Sequence, residues 1–155
     1  MAEKGRGPES GQSAPISVLG ASDAMELVLE LARRRFRDLR RVPTRREAAR
    51  LYDQAALEQL DYLLMEHWEV LDAIARGAGT HETVPGRMVW RVRSGVLVEQ
   101  RPGEALERCL DLADEQLRQP DDGRDSSAAD AVSLTRRFLD RHRDELDALF
   151  GRSNA

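Results

Sequence analysis

The 155-residue chain contains one cysteine, one lysine and few aromatic side chains, and it has no long apolar run. Cys109 alone excludes an internal disulfide and any metal site built from several cysteines. No stretch reaches the roughly 18 consecutive apolar residues of a membrane-spanning helix, so no membrane contact is expected. Residues 1–15 lack the apolar segment of a secretory signal, and we therefore expect the chain in the cytoplasm.

Charged and small aliphatic residues are abundant by contrast. The chain is 41% hydrophobic and 34% charged, a balance typical of a folded helical protein. Because aromatics make up only 5% of the residues, the core has to be built from Leu, Val and Ala, which favours helices. Residues 1–20 are rich in Gly, Ser and Pro and predict a disordered tail, followed by a single domain over residues 21–151.

Apolar residues recur three and four positions apart in several segments, which predicts a mainly α fold. We expect four or five helices forming a small bundle with one β-hairpin at about residues 88–101. Asp23 and Glu26 have capping-box spacing and place the start of the first helix near Ser22 or Asp23. Thr44 and Glu47 form a second such pair after Pro43, which ends that helix.

The helical stretch after the second capping box runs to residue 76, with a pause near Asp53. Further helices cover residues 102–119 and 127–151, joined by a flexible link at residues 119–127. The long stretch carries an unusually regular apolar stripe: Leu57, Leu60, Leu64, His67, Leu71 and Ile74. Such a stripe is a buried seam, either inside the domain or between two copies of it.

The hairpin sequence admits two registers. A two-residue turn at Ser94 and Gly95 would scatter apolar and arginine side chains over one face. A three-residue loop at residues 93–95 pairs Trp90 with Val98 and Val92 with Val96, and it places four apolar side chains together. We prefer the second register, in which Gly95 supplies the left-handed residue.

Residues 33–50 hold nine arginines and only two acids, although the whole chain has a net charge of −4. This run predicts a patch that contacts nucleic-acid phosphates, formed by Arg33, Arg34, Arg37, Arg40, Arg41, Arg45 and Arg46. The alternative is a solvated helix face neutralised by the acidic remainder of the chain. Residues 55–76 are net acidic, which argues against a recognition helix in the major groove.

Chemistry-bearing residues are few. His67 and His142 lie on apolar stripes and Cys109 on another, so the three could converge on a metal, but buried histidines with ordinary hydrogen bonds explain the pattern more simply. Thr80, His81 and Glu82 form a candidate binding loop, without the nucleophile-and-base pattern of a catalytic one. The sequence predicts no enzyme activity, no cofactor and no metal site.

Residues 31–74 resemble the short helical domain at the C-terminus of recombination-promoting nuclease and transposase-like proteins. The residues that carry this resemblance are Phe36, Val42, Pro43, Leu51, Leu57, Gln59, Leu60, Leu63, Leu64, Leu71 and Ile74. The nuclease domain of that family is absent here, so no catalytic residue is carried over. The resemblance implies an accessory, interaction-type role for this segment.

The sequence thus predicts a non-catalytic protein-interaction, adaptor or oligomerisation module. Its partner would be another protein or a second copy of the chain. The alternative is an accessory protein that binds nucleic-acid backbones through the arginine run.

Overall fold

The computed structural model describes residues 20–41, 46–77, 89–120 and 127–149. This part of the chain forms a helical bundle with one antiparallel hairpin, so the predicted mainly α fold is confirmed. The elements in chain order are α1 (Ala21–Leu39), α2 (Glu47–Glu66), α3 (Trp68–Ala75), β1 (Val89–Arg91), β2 (Leu97–Glu99), α4 (Pro102–Leu117) and α5 (Ser127–Ala148). The predicted tail at 1–19, Thr44 of the second capping box and most of the predicted link, at 121–126, lie outside the described residues.

The core is built from all five helices. Helix α1 packs against α2, α3, α4 and α5. The apolar side chains of α4, including Leu106, Leu110 and Leu112, are fully buried among Leu, Val and Ala from the other helices. None of these helices combines the length and the apolar character needed to cross a membrane.

The first turn of α1 is capped by another helix. The Ser22 backbone amide donates to Asp72 Oδ1 at 2.9 Å, and the Ser22 hydroxyl donates to Asp72 Oδ2 at 3.0 Å. No side chain caps α1 from its N-cap position at Gly20. The predicted local capping box of Asp23 and Glu26 is therefore wrong, because a carboxylate from α3 accepts from an otherwise unpaired backbone amide of the first turn instead.

The long central stretch is interrupted at His67, whose φ of −137° and ψ of 24° lie outside the helical region. The predicted pause near Asp53 is wrong. Asp53 lies inside α2, 1% exposed, where the Arg108 guanidinium of α4 donates a hydrogen bond to its carboxylate. Pairing with Arg108 makes burial of this carboxylate tolerable within the helix.

The hairpin adopts the preferred register. Trp90 lies opposite Val98, the Val92 amide donates to the Val96 carbonyl at 2.9 Å, and Gly95 has a φ of +99°. Trp90 and Val92 are buried against Ala55 of α2 in a small cluster apart from the main core. Val96 is 43% exposed, so the predicted grouping of four apolar side chains holds for three of them only.

The first turn of α4 is held by carboxylates from its own helix and from the end of α5. The Arg101 amide donates to Glu104 Oε1 at 2.8 Å within the first turn of α4. The Gly103 amide donates to Asp147 Oδ1 of α5 at 2.6 Å. Asp147 is buried, and that burial raises its pKa even though the Gly103 amide and nearby arginines favour the carboxylate.

Candidate functional site

Arginines of the run form ion pairs with acids on three different helices. Arg33 pairs with Asp61 of α2 at 3.0 Å, Arg34 pairs with Glu30 of its own helix at 3.2 Å, and Arg35 pairs with Glu115 of α4 at 3.2 Å. Successive residues of a helix point about 100° apart, which accounts for the three directions. The run therefore does not form one continuous basic face in the described part of the chain.

Most of the remaining arginines of the run are exposed, whereas Arg50 is half-buried and pairs with Glu47. Arg37, Arg41 and Arg46 face solvent, and the Arg40 guanidinium lies over the Phe36 ring at 6.0 Å from its centroid. Arg45 lies outside the described residues. Phe36 is the one aromatic residue among positions 33–50, and it packs against the core, whereas stacking on bases would need exposed aromatic side chains. Acids of the same chain also neutralise part of the positive charge.

The leucine seam is buried within the chain itself. Leu57, Leu60, Leu64, Leu71 and Ile74 are all 7% exposed or less, and they belong to the core shared with α1, α4 and α5. Of the two uses predicted for this stripe, the structure shows the internal one. A surface between two copies therefore has to be built from other residues.

The histidines and the cysteine occupy separate places. His67 is half-buried at the break between α2 and α3, with its ring 5.5 Å from that of Tyr62, rather than in the packed interior. His142 interrupts α5 with a φ of −128°, and its Nδ1 lies 2.6 Å from Glu145 Oε1. Within the described ranges no group of three or more His, Cys, Asp or Glu side chains is placed to hold a metal.

Cys109 is completely buried in α4, and its thiol donates to the Ala56 carbonyl oxygen at 3.5 Å. Burial raises the pKa of this thiol, which keeps it protonated at neutral pH. Cys109 is therefore part of the packed core. The candidate binding loop of Thr80, His81 and Glu82 lies outside the described residues.

A group of exposed apolar side chains lies around the break between α2 and α3. Tyr62 is 40% exposed, Met65 67% and Trp68 49%. The Tyr62 ring also contacts Trp90 of the hairpin, with ring centroids 5.7 Å apart. We call Tyr62, Met65 and Trp68 the corner cluster. The sequence pattern did not predict this cluster. All three residues fall outside the apolar stripe that predicts the core.

A polar groove runs between α1 and α2 beside the corner cluster. It encloses about 680 Å³, and Met65 and Leu64 supply apolar atoms to its wall. Its charged residues are balanced in sign: Glu26, Glu30 and Asp61 with Arg33, Arg34 and Arg37. Within the described ranges, Glu26 and Arg37 form no ion pair, whereas the other four are paired with each other.

The fold and these surfaces define the chain as a helical bundle with a small hairpin on one side. Comparisons with models of protein families, with curated proteins and with solved structures found no match.

Proposed function

We propose that the chain is a non-catalytic interaction domain that associates with a second copy of itself through the corner cluster and the adjoining α1–α2 groove. The observation that carries this proposal is the exposure of Tyr62, Met65 and Trp68. The chain has only two tryptophans and two tyrosines, and one of each is exposed here while the core is filled mainly by aliphatic residues. Trp, Tyr, Met and Arg are the residue types enriched at protein interfaces.

The charges of the groove favour a second copy as the partner. Glu26 and Arg37 are separated by eleven residues, about three helical turns, so they lie on the same side of α1. A two-fold axis between them would bring Glu26 of each protomer against Arg37 of its partner, since a two-fold interface repeats every contact. A strongly acidic or strongly basic partner would be attracted by three charges of the groove and repelled by the other three, so the groove does not favour either.

A protein partner is better supported than nucleic acid. Arg33, Arg34 and Arg35 are engaged by carboxylates of the chain, and a polyanion would have to displace those carboxylates. The resemblance of residues 31–74 to a non-catalytic helical domain implies the same kind of role.

The test is sedimentation velocity over about 1–100 μM protein, the range in which a micromolar dimer dissociates. We expect a monomer–dimer equilibrium in the wild-type chain. Met65→Ser and Trp68→Ser should each weaken it by roughly tenfold or more, as loss of a central interface side chain does. The matched control Leu97→Ser removes an exposed apolar side chain at the hairpin and should leave the equilibrium unchanged.

Charge reversal tests the geometry. Glu26→Arg and Arg37→Glu should each weaken the dimer, because each change places like charges opposite one another. An equimolar mixture of the two variants should regain the dimer, since the arginine introduced at position 26 then faces the glutamate introduced at position 37. Asp130→Arg and Arg118→Glu, exposed sites on α5 and at the end of α4, are the matched controls.

A wild-type chain that stays monomeric at about 100 μM would overturn the proposal. Association through another face would be shown in either of two ways. The dimer affinity could be unchanged by both charge reversals, or the equimolar mixture of the two variants could fail to dimerise.

A further inference from the structure

A second concave region lies at the opposite end of α1 from the arginine run, between the start of α1, the end of α3 and the middle of α5. It encloses about 420 Å³. This volume falls within the range of small-molecule sites in proteins. Its wall is part apolar and part cationic, with Leu134, Phe138, Arg76, Arg137, Arg141 and His142 as the main contributors. We call it the α3–α5 cavity.

Three arginine side chains line this cavity without a close ionic partner in the described part of the chain. Arg76, Arg137 and Arg141 form no ion pair there. Their neighbours on α5 behave differently, since Arg136 pairs with Asp114, and Arg143 pairs with Glu107 at 2.7 Å. These three arginines therefore differ from the many arginines of the chain that form ion pairs with carboxylates.

The single carboxylate in the wall, Asp72, offsets the charge of these arginines only in part. Both oxygens of Asp72 accept hydrogen bonds from Ser22, at 2.9 and 3.0 Å, in capping α1. Three guanidiniums against one carboxylate leave the wall with a positive excess. Arg137 and Arg141 are also one turn apart on the same helix, where like charges repel each other.

The floor of the cavity offers an apolar surface beside these charges. Phe138 is 5% exposed and Leu134 is half-buried. The His142 ring lies against Phe138 with centroids 5.2 Å apart, and Glu145 holds its Nδ1. The floor can therefore support the apolar body of a ligand whose charged group reaches the arginines.

We infer that the α3–α5 cavity binds a small organic anion, with a phosphate or carboxylate group held by Arg76, Arg137 and Arg141 and an apolar body against Phe138 and Leu134. Guanidinium forks match both anions in geometry and charge. This site lies on different residues from the proposed dimer face and does not depend on it.

The test uses phenyl phosphate as the probe, with inorganic phosphate and benzyl alcohol as its charged and apolar halves. Binding to the full chain is followed by calorimetry and by amide shifts in NMR spectra. We expect phenyl phosphate to bind with a Kd on the order of 0.1–1 mM, as suits a ligand of so few atoms. Inorganic phosphate should bind roughly tenfold more weakly, and benzyl alcohol should not bind measurably, since each lacks one half of the contacts.

The variant Arg137→Gln/Arg141→Gln should weaken phenyl phosphate binding by roughly tenfold or more, because it removes two charge-assisted contacts. Arg93→Gln/Arg118→Gln removes two exposed arginines outside the cavity and should leave the affinity unchanged. Since all four side chains lie on the surface, circular dichroism should show an intact fold in both variants.

Three results would overturn the inference. One is a wild-type chain that binds no phenyl phosphate at about 10 mM, far above the expected Kd. Another is equal weakening by both pairs of substitutions, which would indicate a general charge effect. The third is binding of a DNA duplex through Arg137 and Arg141 without binding of phenyl phosphate, which would identify an extended polyanion as the ligand.

Discussion

Asp72 is a residue of one helix that caps the start of another. It begins the second turn of α3 and caps the first turn of α1 through both oxygens. The Gly20 position is close to the same carboxylate, since a Cβ there would lie 3.3 Å from Asp72 Oδ1. A contact between residues 50 positions apart thus sets where α1 begins.

Removing this cap should destabilise the fold. We expect Asp72→Ala to lower the free energy of unfolding by about 1–2 kcal/mol, as loss of an N-cap does. Asp23→Ala is the control, and it should cost only a few tenths of a kcal/mol through the helix dipole. Denaturant melts of these two variants measure the effect. Melts of Ser22→Ala and of the double variant Ser22→Ala/Asp72→Ala then measure the coupling between the two residues. Additivity of Ser22→Ala and Asp72→Ala would contradict a direct contact.

Asp147 predicts a pH dependence whose sign follows from its environment. Burial raises the folded-state pKa of this carboxyl above its unfolded value, which is about 3.9. Below the unfolded-state pKa, the Asp147 carboxyl is protonated in both the folded and the unfolded chain. Its full contribution to the free energy of unfolding is then present. That contribution is lost as the pH rises through the folded-state pKa, because the buried group must then ionise.

Asp147→Asn keeps an oxygen that accepts from the Gly103 amide and cannot ionise. Relative to wild type, this variant should therefore gain stability between pH 4 and pH 7, as measured by urea unfolding across that range. Asp140→Asn, an exposed site on the same helix, should show a much smaller change. A stability difference between Asp147→Asn and wild type that stays constant with pH would contradict the assignment.

At the scale of elements, the α2–α3 stretch shows how one sequence pattern serves two helices. The apolar stripe continues across the break at His67, because Leu71 and Ile74 of α3 enter the same core as Leu60 and Leu64 of α2. The break turns the chain without interrupting the buried surface. It also leaves Trp68, the first residue of α3, 49% exposed.

The stripe is expected to carry much of the folding free energy. Leu64→Ala should lower the free energy of unfolding by roughly 2–5 kcal/mol, the range for large-to-small changes in a packed core. Leu97→Ala makes the same chemical change at a site that is 51% exposed, and it should cost less than about 0.5 kcal/mol. Denaturant melts that give the two variants similar midpoints would show that Leu64 is not buried in solution.

At the scale of the whole molecule, the hairpin packs against helix α2 of the bundle through a small apolar cluster. Trp90 and Val92 bury against Ala55, and the Trp90 indole donates to Glu58 Oε1 at 3.2 Å. A two-stranded hairpin is not stable alone in water. We therefore expect it to unfold together with the helices.

Trp68→Phe leaves Trp90 as the only tryptophan, so fluorescence of this variant reports the hairpin while far-ultraviolet circular dichroism reports the helices. The two urea transitions should coincide, as they do for a single cooperative unit. A fluorescence transition at clearly lower urea would show that the hairpin unfolds separately from the bundle.

Composition and periodicity alone determined the helical class, the hairpin and its register, and the buried leucine stripe of α2 and α3. These features depend on local rules: three-four spacing buries one helix face, and Gly95 admits the left-handed turn that places Trp90 opposite Val98. The corner cluster did not follow from the stripe in the same way, because Leu63 also lies outside the stripe and yet is 1% exposed.

Only the tertiary structure decided where charges and helix ends find their partners. The cap on α1 comes from Asp72, the buried Asp53 is held by Arg108, and the three arginines of the α3–α5 cavity come from two helices far apart in sequence. Ion pairs and cavities join residues from separate elements, and no local periodicity records which elements will meet. For the same reason the leucine stripe predicted a buried seam but could not distinguish the inside of the domain from a surface between two copies.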